Sequence, residues 1–357
     1  MAVQRKSTVE FPVEELDREL IARGAQTIGD EQFKFKDKEG TPERHTMMAK
    51  VKELYDISLT PNQALSHIST WELVETLKLN IRKENIARGI WYEDDRRDFY
   101  KIEGEQIKKN ADCVAAICLK DNLIDEKGGF STLKHKNYGT VFNLCSDEPF
   151  RNQPIAVGRL CSGFLVKEDV IATAGHCTDE RDITRLRFVF GFKMSKSSTT
   201  LKQLTQVPNE NIYKGVEMFH RIYDPKGSGA DWALIRLDRK VVGHPVVKLY
   251  EKSIYHNQPV YILGHPCGLP LKYASGAQVR DIDKSFFSAD LNVYCGNSGS
   301  PVFEKDTHEV IGIVVRGDTQ DFRWTGRGWL SIIYPNPDIN SQEPQCTRVS
   351  EFIAYCR

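Results

Sequence analysis

The sequence predicts a mainly β protein with an α-helical N-terminal extension, and three observations carry that prediction. After Ala111 the chain consists of short apolar runs of β type (CVAAICL, AVGRLCSGFLV, LRFVFGF, WALIRL, PVYILG, VIGIVVRG) separated by Gly, Asn, Asp and Pro turns. Before that point apolar residues recur every three or four positions, which is the helical period. The whole chain of 357 residues is 40% hydrophobic and 27% charged, an ordinary globular composition that excludes disorder, collagen and coiled coil.

In chain order, Val13, Leu16 and Leu20 form the first amphipathic stripe, and Met47, Met48, Val51, Leu54 and Tyr55 the second. Thr41-Pro42 and Thr60-Pro61 mark helix starts, and Gly89 is placed to stop a third helix from about Thr70 with Leu73, Val74, Leu77 and Ile81 inside. The methionine pair reads as core packing. Ile90 to Asn110 has many charges and no period, so it reads as a solvated connector. The predicted organisation is a helical extension with linker over 1–110 and a β domain over 111–357. Many short strands without intervening helices argue a sandwich or barrel rather than a parallel βαβ sheet.

Lys plus Arg (49) balances Asp plus Glu (49), so no overall field attracts nucleic acid or an anionic membrane. The opening residues lack the apolar core of a signal peptide, and no run approaches the roughly 18 apolar residues of a membrane helix. That favours a cytoplasmic protein, with secretion as the alternative. The nine cysteines leave the compartment open: the number is high for a cytosolic chain, yet it is odd. No CxxC pair occurs, and Cys113 and Cys118 have no nearby histidine to complete a zinc site.

Three segments carry candidate chemistry. Thr173-Ala174-Gly175-His176-Cys177 follows an apolar strand and a Lys-Glu-Asp turn. In Ala230-Asp231-Trp232-Ala233-Leu234-Ile235, a carboxylate opens a strongly apolar strand, so Asp231 needs a hydrogen-bonding partner. In Gly296-Asn297-Ser298-Gly299-Ser300-Pro301, small residues put a serine on a tight turn where backbone N–H groups can converge on one point. His265, on a turn before Cys267, reads as structural.

His, Asp and Ser in that chain order, on a many-stranded β chain, resemble the chymotrypsin/trypsin-like serine proteases from about Ala111 to the C-terminus. The Gly-Asn-Ser-Gly-Ser-Pro-Val-Phe form is most similar to the bacterial branch that includes glutamyl endopeptidases. The resemblance implies a double Greek-key β-barrel and a cleft with His176 and Asp231 on one barrel and Ser298 on the other. It implies Ser298 as nucleophile, His176 as general base, Asp231 as its orienting carboxylate, and an oxyanion hole from the N–H groups of Gly296 and Ser298. It also implies a Cys161–Cys177 disulfide and a closing segment with a terminal helix from Cys346. A polypeptide would be the substrate, and no metal or organic cofactor is required.

Two departures from the family bear on function. Animal members carry aspartate before the nucleophile, paired with a new N-terminal ammonium after propeptide cleavage; here Asn297 cannot form that pair, so activity without N-terminal processing is expected. Six residues before Ser298, where basic-specific members carry aspartate, stands Asn292. Val314 occupies the place of a substrate-reading histidine in glutamyl endopeptidases. Arg316, read first as a structural or solvent-facing cation, could face an acidic group. Asn292, Val314 and Arg316 are therefore the candidate substrate pocket. The leading reading is an endopeptidase controlled through its helices, which would also bind a protein partner. The alternatives are an inactive protease-like binding module and a secreted protease with 1–110 as a removable prosegment.

Overall fold

The computed structural model describes the strand pair 26–28 and 32–34, and residues 90–357 apart from 127, 159, 160, 179, 224–228, 318–320, 326 and 335–342. The chain divides into two units, 1–84 and 85–357. In the first, Gln26–Ile28 pairs antiparallel with Gln32–Lys34, in a region read from sequence as helical. The helices expected near 13–20, 47–55 and 70–81 lie outside the described residues.

The second unit contains two six-stranded antiparallel barrels. The first is built from β1 (Val114–Leu119), β2 (Cys161–Lys167), β3 (Val170–Thr173), β4 (Leu186–Phe190), β5 (Ile212–Ile222) and β6 (Trp232–Leu237), closed in the order β2-β3-β6-β5-β4-β1. The second uses β7 (Pro259–Gly264), β8 (Lys272–Ile282), β9 (Phe286–Ala289), β10 (Pro301–Glu304), β11 (Val310–Arg316) and β12 (Gln345–Arg348). Its order is β7-β10-β11-β12-β9-β8, and pairing of β7 with β8 closes it. The near-continuous apolar runs follow from this closure: Phe164, Ile171, Phe188 and Leu234 fill one barrel, while Phe287, Phe303 and Ile313 fill the other. All seven are fully buried. The chain ends after β12 in two 3-10 turns, Val349–Glu351 and Ile353–Cys356, instead of the expected terminal helix. The fully buried Phe352 breaks the helical run between them.

The reading of 90–110 as a solvated connector is corrected. Ile90–Trp91 pairs in parallel with Ile333–Tyr334, and Arg97–Asp98 adds to β8 opposite Tyr273 and Lys272. Ile90, Trp91, Arg96, Asp98 and Ile102 are all buried. The helix Glu105–Ala111 docks on the second barrel through Asn110, whose amide donates to the Tyr261 hydroxyl at 3.0 Å and the His308 carbonyl at 2.9 Å. Two of the charges that suggested a surface, Arg96 and Asp98, are instead paired inside, while Glu93, Arg97, Lys101, Glu103, Glu105 and Lys109 are exposed. Arg96 grips Asp94 at 2.8 Å and Glu148 at 3.3 Å, and Asp98 meets Lys272 at 2.7 Å.

Lys272 also donates to Gln153 Oε1 at 2.8 Å and to the Pro270 carbonyl at 2.9 Å. Burial nevertheless pulls its ammonium down to about 8, with Asp98 opposing that shift. Removing Asp98 leaves a buried cation uncompensated. Asp98→Ala is expected to destabilise the second unit by about 3–5 kcal/mol, read by denaturant unfolding.

Candidate active site

The three candidate residues arrive on segments just outside the barrel strands. His176 sits in the 3-10 turn Gly175–Cys177 that follows β3, Asp231 immediately precedes β6, and Ser298 lies in the turn before β10. Asp231 is 1% exposed, and both of its oxygens are satisfied by one residue. The His176 N–H donates to Oδ1 at 3.0 Å, while His176 Nδ1 lies 2.6 Å from Oδ2. This double hold fixes the ring's position and leaves Nε2 on the side away from the carboxylate. The imidazole itself is partly exposed and lies beside Tyr223, with ring centroids 6.2 Å apart.

Thr347, which the sequence did not single out, locks the aspartate from the opposite barrel. Its hydroxyl accepts from the Asp231 N–H at 2.9 Å and donates to the Asp231 carbonyl at 3.0 Å. Arg221 steadies the histidine turn by donating to the Gly175 carbonyl at 2.9 Å.

Ser298 is half-buried, and its turn is fastened to the first barrel by a second missed residue, Ser162 on β2. The Ser162 N–H donates to the Ser298 carbonyl at 2.9 Å. Its hydroxyl donates to the Gly296 carbonyl at 3.0 Å and accepts from the His265 N–H at 3.0 Å. Gly296 and Gly299 have φ of +94° and +86°, the left-handed region that other residues disfavour. A Cβ at Gly299 would fall 2.0 Å from the Ser162 carbonyl oxygen and 2.2 Å from Thr173 Oγ1, so the turn requires glycine there. Among the described residues, the Gly296 and Ser298 N–H groups make no backbone hydrogen bond, whereas those of Asn297, Gly299 and Ser300 do. Nothing but adjacency to Cys161 could have pointed to Ser162 in the sequence.

The structure joins Cys161 to Cys177, with Cα atoms 6.2 Å apart. Cys177 Sγ lies 3.7 Å from the Ser298 carbonyl oxygen, so the bridge touches the nucleophile turn as well as neighbouring His176.

The candidate pocket residues do not converge through their bonds. The Val314 N–H donates to the Ser300 carbonyl at 3.0 Å and its carbonyl accepts from Gly299 at 2.8 Å, which puts Val314 against the nucleophile turn. The Arg316 guanidinium donates to Gln345 Oε1 and the Gly229 carbonyl and stands over the Phe286 ring. It is structurally engaged, and an acidic ligand is not needed to explain it. Asn292 is turned toward residues 91–95 rather than offered to a ligand. Asn297 is buried, with its N–H on the Tyr294 carbonyl and its Oδ1 3.4 Å from Ser300 Oγ.

Residues 161–313, which include all three candidate residues, match the model of the trypsin-like peptidase domain. A trypsin-like protease of Streptomyces glaucescens is 27% identical over 187 residues, which cover 44% of this chain and 65% of that protein. Two solved structures are similar in outline. A Glu endopeptidase in complex with MPD is 14% identical over 74% of this chain and 96% of its own, with a TM-score of 0.42. The Vibrio cholerae VesB protease is 15% identical over 72% and 66%, with a TM-score of 0.41. The matched residues run from β2 into β11 and so span both barrels.

His265, within the matched residues, has a structural place. It is 2% exposed, stacks on Phe192 and bonds the Leu269 carbonyl through Nδ1 at 3.1 Å. Burial pulls its imidazole down to about 4. The folded state thus binds this proton more weakly than the unfolded chain, whose value is about 6.5. Its stability contribution is complete above about pH 6.5 and is lost as pH falls toward 4, amounting to about 3 kcal/mol. Unfolding titrations at pH 7 and pH 4.5 are expected to show a shallower acid loss in His265→Gln than in the wild type. Reduction of the 161–177 bridge, which closes a loop of 16 residues, is expected to cost about 3 kcal/mol in the same assay.

Proposed function

We propose that this chain is a serine endopeptidase that hydrolyses peptide bonds through Ser298, His176 and Asp231. The observation that carries the reading is the double hydrogen bond from His176 to a buried Asp231, beside a glycine-bounded serine turn tied to the same barrel. Ser298 Oγ attacks the carbonyl carbon of the scissile bond while His176 Nε2 takes its proton. Asp231 holds the Nδ1–H tautomer and stabilises the imidazolium that forms. The tetrahedral oxyanion is received by the N–H groups of Gly296 and Ser298, and one such donor is worth roughly 2.7–4 kcal/mol of barrier. Collapse expels the amine with the proton from His176, leaving an acyl-enzyme on Ser298. Water activated by the same imidazole then releases the acid.

The N-terminal unit would act as a regulatory or partner-binding extension, since the second unit begins near residue 85 and contains the whole candidate site. Intact mass of the protein isolated from its source separates a retained extension from a removable prosegment.

Fluorophosphonate labelling read by intact mass tests the chemistry. One adduct is expected on the wild type and none on Ser298→Ala. Asp231→Asn is expected to lower kcat on a peptide library by about 10⁴-fold with the fold intact, because the amide stabilises the wrong imidazole tautomer. No adduct on any form of the chain would favour the protease-like binding module.

A further inference from the structure

The segment Trp91–Asp98 supplies no group to the proposed chemistry, yet its polar atoms converge on the run of chain that leads into Ser298. That run lies between β9, which ends at Ala289, and β10, which starts at Pro301, so no strand ladder holds it. Tertiary contacts must set its shape. Asn292 is buried, and its amide is spent on the segment. Oδ1 accepts from the Trp91 N–H at 2.6 Å, and Nδ2 donates to the Glu93 carbonyl at 3.1 Å and to Asp95 Oδ1 at 2.5 Å. An asparagine amide has two donors, and here both are used. The second oxygen of Asp95 takes the Ser275 N–H at 2.5 Å, anchoring the contact to β8.

Two residues further on, the Tyr294 ring lies under the Arg96 guanidinium, 4.3 Å from its centroid. The Tyr294 carbonyl in turn accepts the Asn297 N–H at 3.0 Å. Arg96 Nη1 has no hydrogen-bond partner among the described residues, and Arg96 borders a cavity of about 10 Å³ whose wall includes Asn292 and Asn297. Residues 91–98 therefore hold Asn292 and Tyr294 on the run that ends at the nucleophile, and Arg96 shares a cavity wall with Asn297.

We propose that Trp91–Asp98 is a built-in positioning strap: through Asn292 and Tyr294 it holds 292–298 in the competent shape, so the uncut chain presents Ser298 and its oxyanion donors without a newly cleaved N-terminus. This rests on the protease reading above. Asn292, Asp95 and Arg96 are positioning residues. Loosening the strap lowers the fraction of molecules with a competent turn. Apparent affinity falls by that fraction, while the rate at saturation, where the ligand has drawn the turn into shape, is preserved.

The test is the rate of fluorophosphonate labelling of the full-length chain against probe concentration, which separates KI from kinact. The probe carries no peptide side chain, so loss of a substrate-pocket contact would not move its constants. Asn292→Ala is expected to raise KI about tenfold to a hundredfold, with kinact within about threefold and saturating labelling still stoichiometric. Asp95→Ala is expected to shift KI the same way by less, and the double variant to fall short of the product of the two. Thermal melting confirms that each variant is folded; if Asn292→Ala is not, Asp95→Ala decides. An unchanged KI in a folded variant, or a fall in kinact at constant KI, overturns the strap. Wild type that labels only after limited proteolysis also overturns it and leaves the protease reading standing. Absence of labelling before and after proteolysis overturns that reading itself.

Discussion

A carboxylate buried at the seam of two barrels must have both oxygens hydrogen-bonded, and much of the candidate site follows from how Asp231 meets that demand. One residue, His176, satisfies both oxygens, through its backbone N–H and its ring. The turn Gly175–Cys177 therefore cannot move without uncovering the charge, and the ring direction is coupled to the backbone. The Asp231 peptide is closed on its other side by the Thr347 hydroxyl of the second barrel, used as both donor and acceptor. Barrel docking and imidazole orientation are thus joined in a single chain of hydrogen bonds.

The serine turn is held by a complementary arrangement. Ser162, from the first barrel, binds the carbonyls of Gly296 and Ser298 and the N–H of His265, while Thr173 Oγ1 donates to the Ser162 carbonyl at 2.7 Å. These bonds occupy the carbonyl side of the turn. With the carbonyls held, the N–H groups of Gly296 and Ser298 are left out of backbone pairing, which is the arrangement the proposed oxyanion hole needs. The disulfide lies against the same turn, so the histidine turn and the nucleophile turn share one wall.

The strap at 91–98 follows the same logic of polar groups satisfied by partners inside. Arg96, Asp98, Glu148, Lys272 and Asn292 are all buried, and each has its partner within the unit. An interior this polar costs stability wherever one member is removed, and it fixes geometry more narrowly than apolar packing does. It stands directly behind the residues that lead to the nucleophile.

The sequence by itself determined the β architecture, because closed barrels bury both the alternation and the continuous apolar runs that are visible in one dimension. It also offered His176, Asp231 and Ser298 as candidates, since a carboxylate opening an apolar strand, a serine among glycines and their order after the histidine are all visible in one dimension. Residues 90–110 were misread because Arg96 and Asp98 look solvated until Glu148 and Lys272, 52 and 174 positions away, supply their partners. Ser162 and Thr347 carry no local mark at all; their importance comes from hydrogen bonds spanning more than 100 residues, to Gly296 and Asp231. Asn292 was read as part of a substrate pocket, but which way its amide faces was decided only when residues 91–95 folded against it. Strand character is written in neighbouring residues, whereas the satisfaction of a buried polar group is settled by whichever distant segment the fold brings within 3 Å.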